Sequence, residues 1–257
     1  MSPGLFDGRA QRAIRIRGTP AKSPMFFRDL HMMGAVFLAD FARVRAALPR
    51  ECRPLRLPLG RALVAVHCME YKDTDIGPYN EVALSVALRA GWLPLPSLAR
   101  AALDLRSRTM HAHIHALPVT TELALHGGVD FFNYPKYLAD IRFRETAGHR
   151  VCTLRDPETL DLICEFEGRR IGEGNRAGGD GKGLTLLSYP WIGGRAHRAR
   201  LELRQLEGGE RRLRPCANLR LGPHPRAEAF RELGLGAQVH YLFAPRCQAV
   251  LFEPEPL

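Results

Sequence analysis

The sequence predicts an α+β protein, mainly antiparallel β, closed or nearly closed into a β-barrel with a few short helices. Nine apolar runs carry that reading, several of them alternating, from "RALVAVHCMEY" (61–71) to "QVHYLFAPRCQAVLFE" (238–253). Glycine, proline or polar turns separate most of them, the punctuation of antiparallel strands. Helical periodicity is confined to three short stretches.

In chain order, residues 1–23 are rich in arginine, glycine and proline and read as a flexible basic arm before one domain over 24–257. "ADFARVRAALP" (39–49) reads as a helix, with Asp40 as N-cap, Phe41, Val44 and Leu48 on one face, and Pro49 as the stop. The runs at 61–71 and 81–90 flank the turn signal "DIGP"; those at 109–117, 137–145 and 158–168 follow as strands. "PSLARAALDL" (96–105) and "PRAEAFRELG" (225–234) read as further short helices. "RAHRARLELRQLEGGERRLR" alternates arginine with alanine and leucine, as a hairpin with a wet outer face would. No composition break or internal repeat marks a second domain.

With 46% hydrophobic and 25% charged residues among 257, the chain has the balance of a soluble globular protein. It holds no run of 18 apolar residues, so no membrane partner is expected, and its first residues lack a secretory signal. Six cysteines lie scattered without a CxxC pair, which favours reduced thiols in a cytoplasmic protein over a disulfide framework or a zinc site. The net charge of +10 invites a nucleic-acid reading. Its arginines are spread through the chain, however, without zinc-finger spacing, an RNP-like strand or a basic heptad, so a solvated surface is favoured and no nucleic-acid partner is expected.

"MHAHIHA" puts His111, His113 and His115 on one face of a strand, where a metal site is conceivable. Ligands about 7 Å apart at each step do not all reach one ion, and a polar face lining a cavity or meeting water fits better. "GEGNRAGGDGKGL" (172–184) lacks the spacing of a phosphate-binding P-loop and reads as a loop between strands. No GxSxG elbow is present.

Lysine is rare here. Of 37 basic residues only Lys22, Lys72, Lys136 and Lys182 are lysines, and Lys136 sits inside "FFNYPKYLADI" (131–141). Arginine stays protonated in any protein, whereas a buried lysine can lose its proton and attack a ketone. An ordinary lysine is neutral in only about one molecule in 2500 at pH 7, so the nucleophile reading needs desolvation worth ~5.5 kcal/mol. Phe131, Phe132, Tyr134 and Pro135 supply apolar surroundings; a lysine snorkelling from a strand edge fits the same residues. "YKDTDIGPYNEVALSV" (71–86) places Glu81 at the opening of a strand, aimed into a barrel mouth or at a turn-flanking surface position.

"GPYNE", followed some 50 residues later by "NYPKYLADI", resembles the acetoacetate decarboxylase family. The helix ending in "ALP", the "LLSYPWIGG" strand-turn, the "GPHPRAEAFRELG" helix and the closing "YLFAPRCQAVLFE" strand fit the same pattern from about residue 24 to 254. The resemblance implies a cone-shaped antiparallel barrel, homo-oligomers, no cofactor, Lys136 as the Schiff-base nucleophile and Glu81 as the active-site glutamate. It makes Arg28 the nearest candidate for the substrate carboxylate, although Leu30 falls in register, and makes Tyr79, Tyr134 and Tyr137 pocket residues. Family decarboxylases commonly carry a second lysine where this chain has Tyr137, so burial alone must activate Lys136. "WLPLPSLARAALDL" (92–105) looks like an addition. Three functions follow: decarboxylation of a small β-keto acid through a lysine iminium and enamine, aldol or dehydratase chemistry on a 2-oxo acid, or a non-catalytic barrel binding a hydrophobic carbonyl ligand.

Overall fold

The computed structural model describes residues 4–89, 99, 103, 106–175 and 182–257. Its strands are β1 (Arg12–Ile16), β2 (Thr19–Ser23), β3 (Met25–Asp40), β4 (Arg61–Thr74), β5 (Tyr79–Ala87), β6 (Thr109–Val119), β7 (Lys136–Leu138), β8 (Asp140–Thr146), β9 (His149–Arg155) and β10 (Leu162–Arg169). Then come β11 (Lys182–Ser188), β12 (Trp191–Ile192), β13 (Arg195–Arg212), β14 (Ala217–Leu221), β15 (Leu235–Leu251) and β16 (Glu255–Pro256). The α-helices among the described residues are α1 (Phe41–Ala47), α2 (Glu122–Phe132) and α3 (Glu228–Arg231).

The main sheet runs β11-β13-β15-β3-β4-β5-β6-β7, and a parallel pairing of β6 with β11 closes seven of these strands into a barrel. A four-stranded sheet, β14-β10-β9-β8, packs outside it. Alternation on β4 shows how one strand serves both layers. Ala62, Val64, Val66 and Cys68 pack with Cys152, Leu154 and Phe166 of the small sheet, whereas Met69 and Tyr71 face the lumen with Met32, Leu203 and Leu242. Arg150, 4% exposed, staples the two layers: it bonds His31 on β3 and Glu70 on β4, and lies 2.9 Å from Glu145. No described helix is long and apolar enough to cross a membrane.

The helix at 39–49 forms as α1, where Asp40 accepts a hydrogen bond from the Arg43 amide at 2.9 Å. Asp40→Ala removes the acceptor of an otherwise orphaned N–H; a loss of about 1 kcal/mol is expected, read as a fall of ~2–4 °C in thermal midpoint. Other expectations need correction. The arm at 1–23 contains the hairpin β1–β2, with Ile16 only 1% exposed. The arginine-rich stretch is no hairpin: all but its last two residues form one 18-residue strand, β13, bulged between Gln205 and Gly209. The strand at 137–145 splits at Ala139 between barrel and small sheet. The helix at 96–105 and the middle of the glycine-rich loop fall largely outside the described residues.

Candidate active site

Lys136 and Glu81 meet across β6. Glu81 pairs with Val119 on one edge of that strand, and Lys136 pairs with Leu117 on the other. The Lys136 Nζ donates to Glu81 Oε2 at 2.7 Å, with the two side chains 7% and 8% exposed. Removing an ion from water costs several kcal/mol even after the protein relaxes, and this close opposite charge offsets part of it. The Tyr71 hydroxyl donates to the second carboxylate oxygen at 3.2 Å. Tyr71 stacks on Tyr79 at 4.5 Å, and the amine lies 5.9 Å from the Tyr79 ring centre. Burial, helped by Glu81, pushes both phenols well above the usual tyrosine range, which keeps them protonated donors.

The lysine stem rests on helix α2. A Cβ at Gly128 would overlap Lys136 Cε and Cδ, so only glycine leaves room for the stem. The helix starts at Thr121, whose hydroxyl accepts from the Ala124 amide at 3.4 Å, and ends at Asn133 in the left-handed region with φ 49°. Tyr134 follows, stacked on Phe132 at 5.1 Å and bonded to Ser188 Oγ at 2.7 Å. Its carbonyl accepts from the Lys136 amide at 2.7 Å, which fixes the turn that aims the lysine inward.

The structure therefore gathers Lys136, Glu81, Tyr79 and Tyr134, and leaves two candidates outside. Arg28 is bound to Asp75 at 2.6 Å and lies 3.7 Å from Asp73. Asp75 also takes the Phe26 amide, and register shifts around Asp29 leave Phe27 and Leu30 on the lumen side. Tyr137 alternates away from Lys136 into the core beneath the small sheet, its ring 4.2 Å under the Arg226 guanidinium. The three histidines are parcelled out separately, His111 to Tyr189 at 2.5 Å, His113 to Cys52 at 3.5 Å and His115 to Glu232 at 2.7 Å. Among the described residues no group of three His, Cys, Asp or Glu is arranged to hold a metal. Sequence reasoning passed over Tyr71, Gly128 and Ser188. A hairpin turning at "DIGP" pairs Tyr71 with Tyr79, so Tyr71 had a readable signal; Gly128 had none.

The profile of the family described as acetoacetate decarboxylase (ADC) matches residues 13–179, well over half of the chain. The chain belongs to the acetoacetate decarboxylase family. Solved structures share this fold. Acetoacetate decarboxylase from Legionella pneumophila subsp. pneumophila str. Philadelphia 1 has a TM-score of 0.64 at 14% identity, over 99% of this chain and 96% of that one. An acetoacetate decarboxylase-like enzyme from Sphingomonas wittichii RW1 has a TM-score of 0.56 at 14% identity, over 96% and 99%. The enduracididine biosynthesis enzyme MppR, solved with pyruvate, has a TM-score of 0.57 at 12% identity, over 90% and 89%. No curated protein matches this acetoacetate decarboxylase family member in sequence.

Proposed function

We propose that the protein is a Schiff-base-forming lyase acting on a small keto acid, with decarboxylation of a β-keto acid as the leading reaction. The observation that carries this reading is the 2.7 Å contact between Lys136 and Glu81, both withdrawn from water. Glu81 takes a proton from the lysine, and the freed amine attacks the ketone carbon. After a proton passes from nitrogen to oxygen, the carbinolamine is neutral; Glu81 returns its proton to the hydroxyl, which leaves as water and gives an iminium. The bond to the carboxylate then breaks, carbon dioxide departs, and the electron pair moves onto the nitrogen to give an enamine. Protonation at carbon and hydrolysis release the ketone and regenerate the amine. Tyr71 holds Glu81 in place; Tyr79 and Tyr134 wall the pocket.

A second reading keeps the iminium and uses it for aldol or dehydration chemistry on a 2-oxo acid. The likeness in fold to MppR, solved with pyruvate, supports it; Arg28, held by Asp75, does not separate the two, because both substrates carry a carboxylate. Borohydride reduction in the presence of acetoacetate, and separately of pyruvate, tests both. A mass increase on Lys136 with either acid supports Schiff-base chemistry, and carbon dioxide release separates the two reactions. No adduct with any keto acid refutes both and leaves a carbonyl-binding barrel. Tyr71→Phe removes a hydrogen bond to a charged group worth about 1.5–3 kcal/mol. It should slow adduct formation about tenfold or more at nearly unchanged volume.

A further inference from the structure

We propose that the N-terminal hairpin is a positioning element for Lys136, acting through α2, with Ile16 as the positioning residue; this rests on the Schiff-base reading above. The hairpin β1–β2 forms a sheet of its own, with no strand pairing to the barrel among the described residues. Its turn residues Arg17 and Gly18 have φ of 48° and 90°, the positive pair of a tight two-residue hairpin turn. That turn drives Ile16 inward against α2 and sends Arg17 to Asp130 on the same helix, at 2.9 and 3.2 Å.

Gly127 and Gly128 form a thin partition there. A Cβ on Gly127 would stand 3.2 Å from Ile16 Cδ1, and one on Gly128 would overlap the Lys136 stem. Ile16 and Lys136 thus press on neighbouring faces of α2, about 100° apart, at two successive residues that carry no side chain. Each glycine costs a helix interior about 1 kcal/mol relative to alanine, so this turn is intrinsically weak. Ile16 braces it from the neighbouring face. Without the brace the partition gives way, and the amine is no longer held at 2.7 Å from Glu81.

The test uses the full chain with Ile16→Ala, Ile16→Val and, as a control cavity in the core shared with the small sheet, Val44→Ala, the fully buried residue of α1. All are assayed well below their melting temperatures. With whichever keto acid labels the parent protein, Ile16→Ala should cut the maximal rate of borohydride trapping at least tenfold. Half-saturation should stay within twofold, and Ile16→Val should recover most of the rate. A loss no greater than that of Val44→Ala at a matched melting temperature would overturn the proposal. A second readout needs no keto acid. Reductive methylation with formaldehyde, mapped by peptide mass spectrometry, should label Lys136 at least tenfold faster in Ile16→Ala, with Lys72 unchanged. If the parent forms no adduct, the Schiff-base reading fails and methylation alone decides the brace. Unchanged Lys136 labelling refutes it.

Discussion

Lys136→Met is expected to abolish the borohydride adduct and to cost about 3–5 kcal/mol of stability at neutral pH, the usual price of leaving a buried charge without its partner. Methionine reproduces the unbranched stem that lies along Gly128 but carries no amine. Glu81, its side chain 8% exposed, then keeps a hydrogen bond from Tyr71 and loses its cation. Adding Glu81→Gln removes that stranded charge, so the double variant should recover most of the stability and none of the chemistry. Urea unfolding measures the first, intact-protein mass spectrometry the second. A single variant as stable as the parent would show that the pair carries little electrostatic weight. Lys136→Arg is the companion change: it keeps the charge, cannot supply a neutral amine, and should also form no adduct.

Mild acid should unfold the protein. Burial lowers His31 from 6.5 to about 3, with Arg150, Lys72 and Arg170 adding to the effect. It lowers His67, beside His240 in the lumen, to about 4, and His113, beside His115, to about 4. A histidine held below its unfolded value binds its proton first in the unfolded chain. The fold therefore loses stability as pH falls below 6.5, at ~1.4 kcal/mol per pH unit for each such group. Three together give ~4 kcal/mol per pH unit until about pH 4, against a typical total of about 5–15 kcal/mol. Asp156 and Glu253, whose partners hold them below the usual carboxylate range, add a further loss at lower pH. Urea midpoints at pH 7, 6 and 5 should drop steeply, and His67→Gln should flatten the slope by about a third. A midpoint constant down to pH 5 would contradict the argument.

Much of this fold was legible because period-two alternation survives wherever one face meets the lumen and the other the small sheet. Where it fails, so did the reading. "MFFRDLHMMGAVFLAD" was not read as a strand, yet it forms β3, which pairs along most of its length with both β4 and β15. Its middle, residues 30–35, is buried on both faces, and its one polar residue there, His31, is buried too, so no exposed polar residue marks the alternation. Helix α2 hid for the opposite reason: adjacent glycines at 127 and 128 weaken its helical signature where the lysine needs space. That Lys136 and Glu81 come together was readable because unusual chemistry stood in strand-like surroundings. Arg28 and Tyr137 lie away from that pair because proximity in sequence says nothing about which face a bulge or an alternation selects.

Lys136 and Glu81 are spaced by a ladder of main-chain hydrogen bonds through β6, with Val119 beside Glu81 and Leu117 beside Lys136. Their separation is thus counted in residues and does not drift continuously with loop shape. One residue inserted between 117 and 119 would turn one member of the pair toward the opposite side of the wall, whereas lengthening a surface connection would leave both in place. Length variation should accordingly be forgiven in connections such as the one between β8 and β9 and forbidden within those three positions.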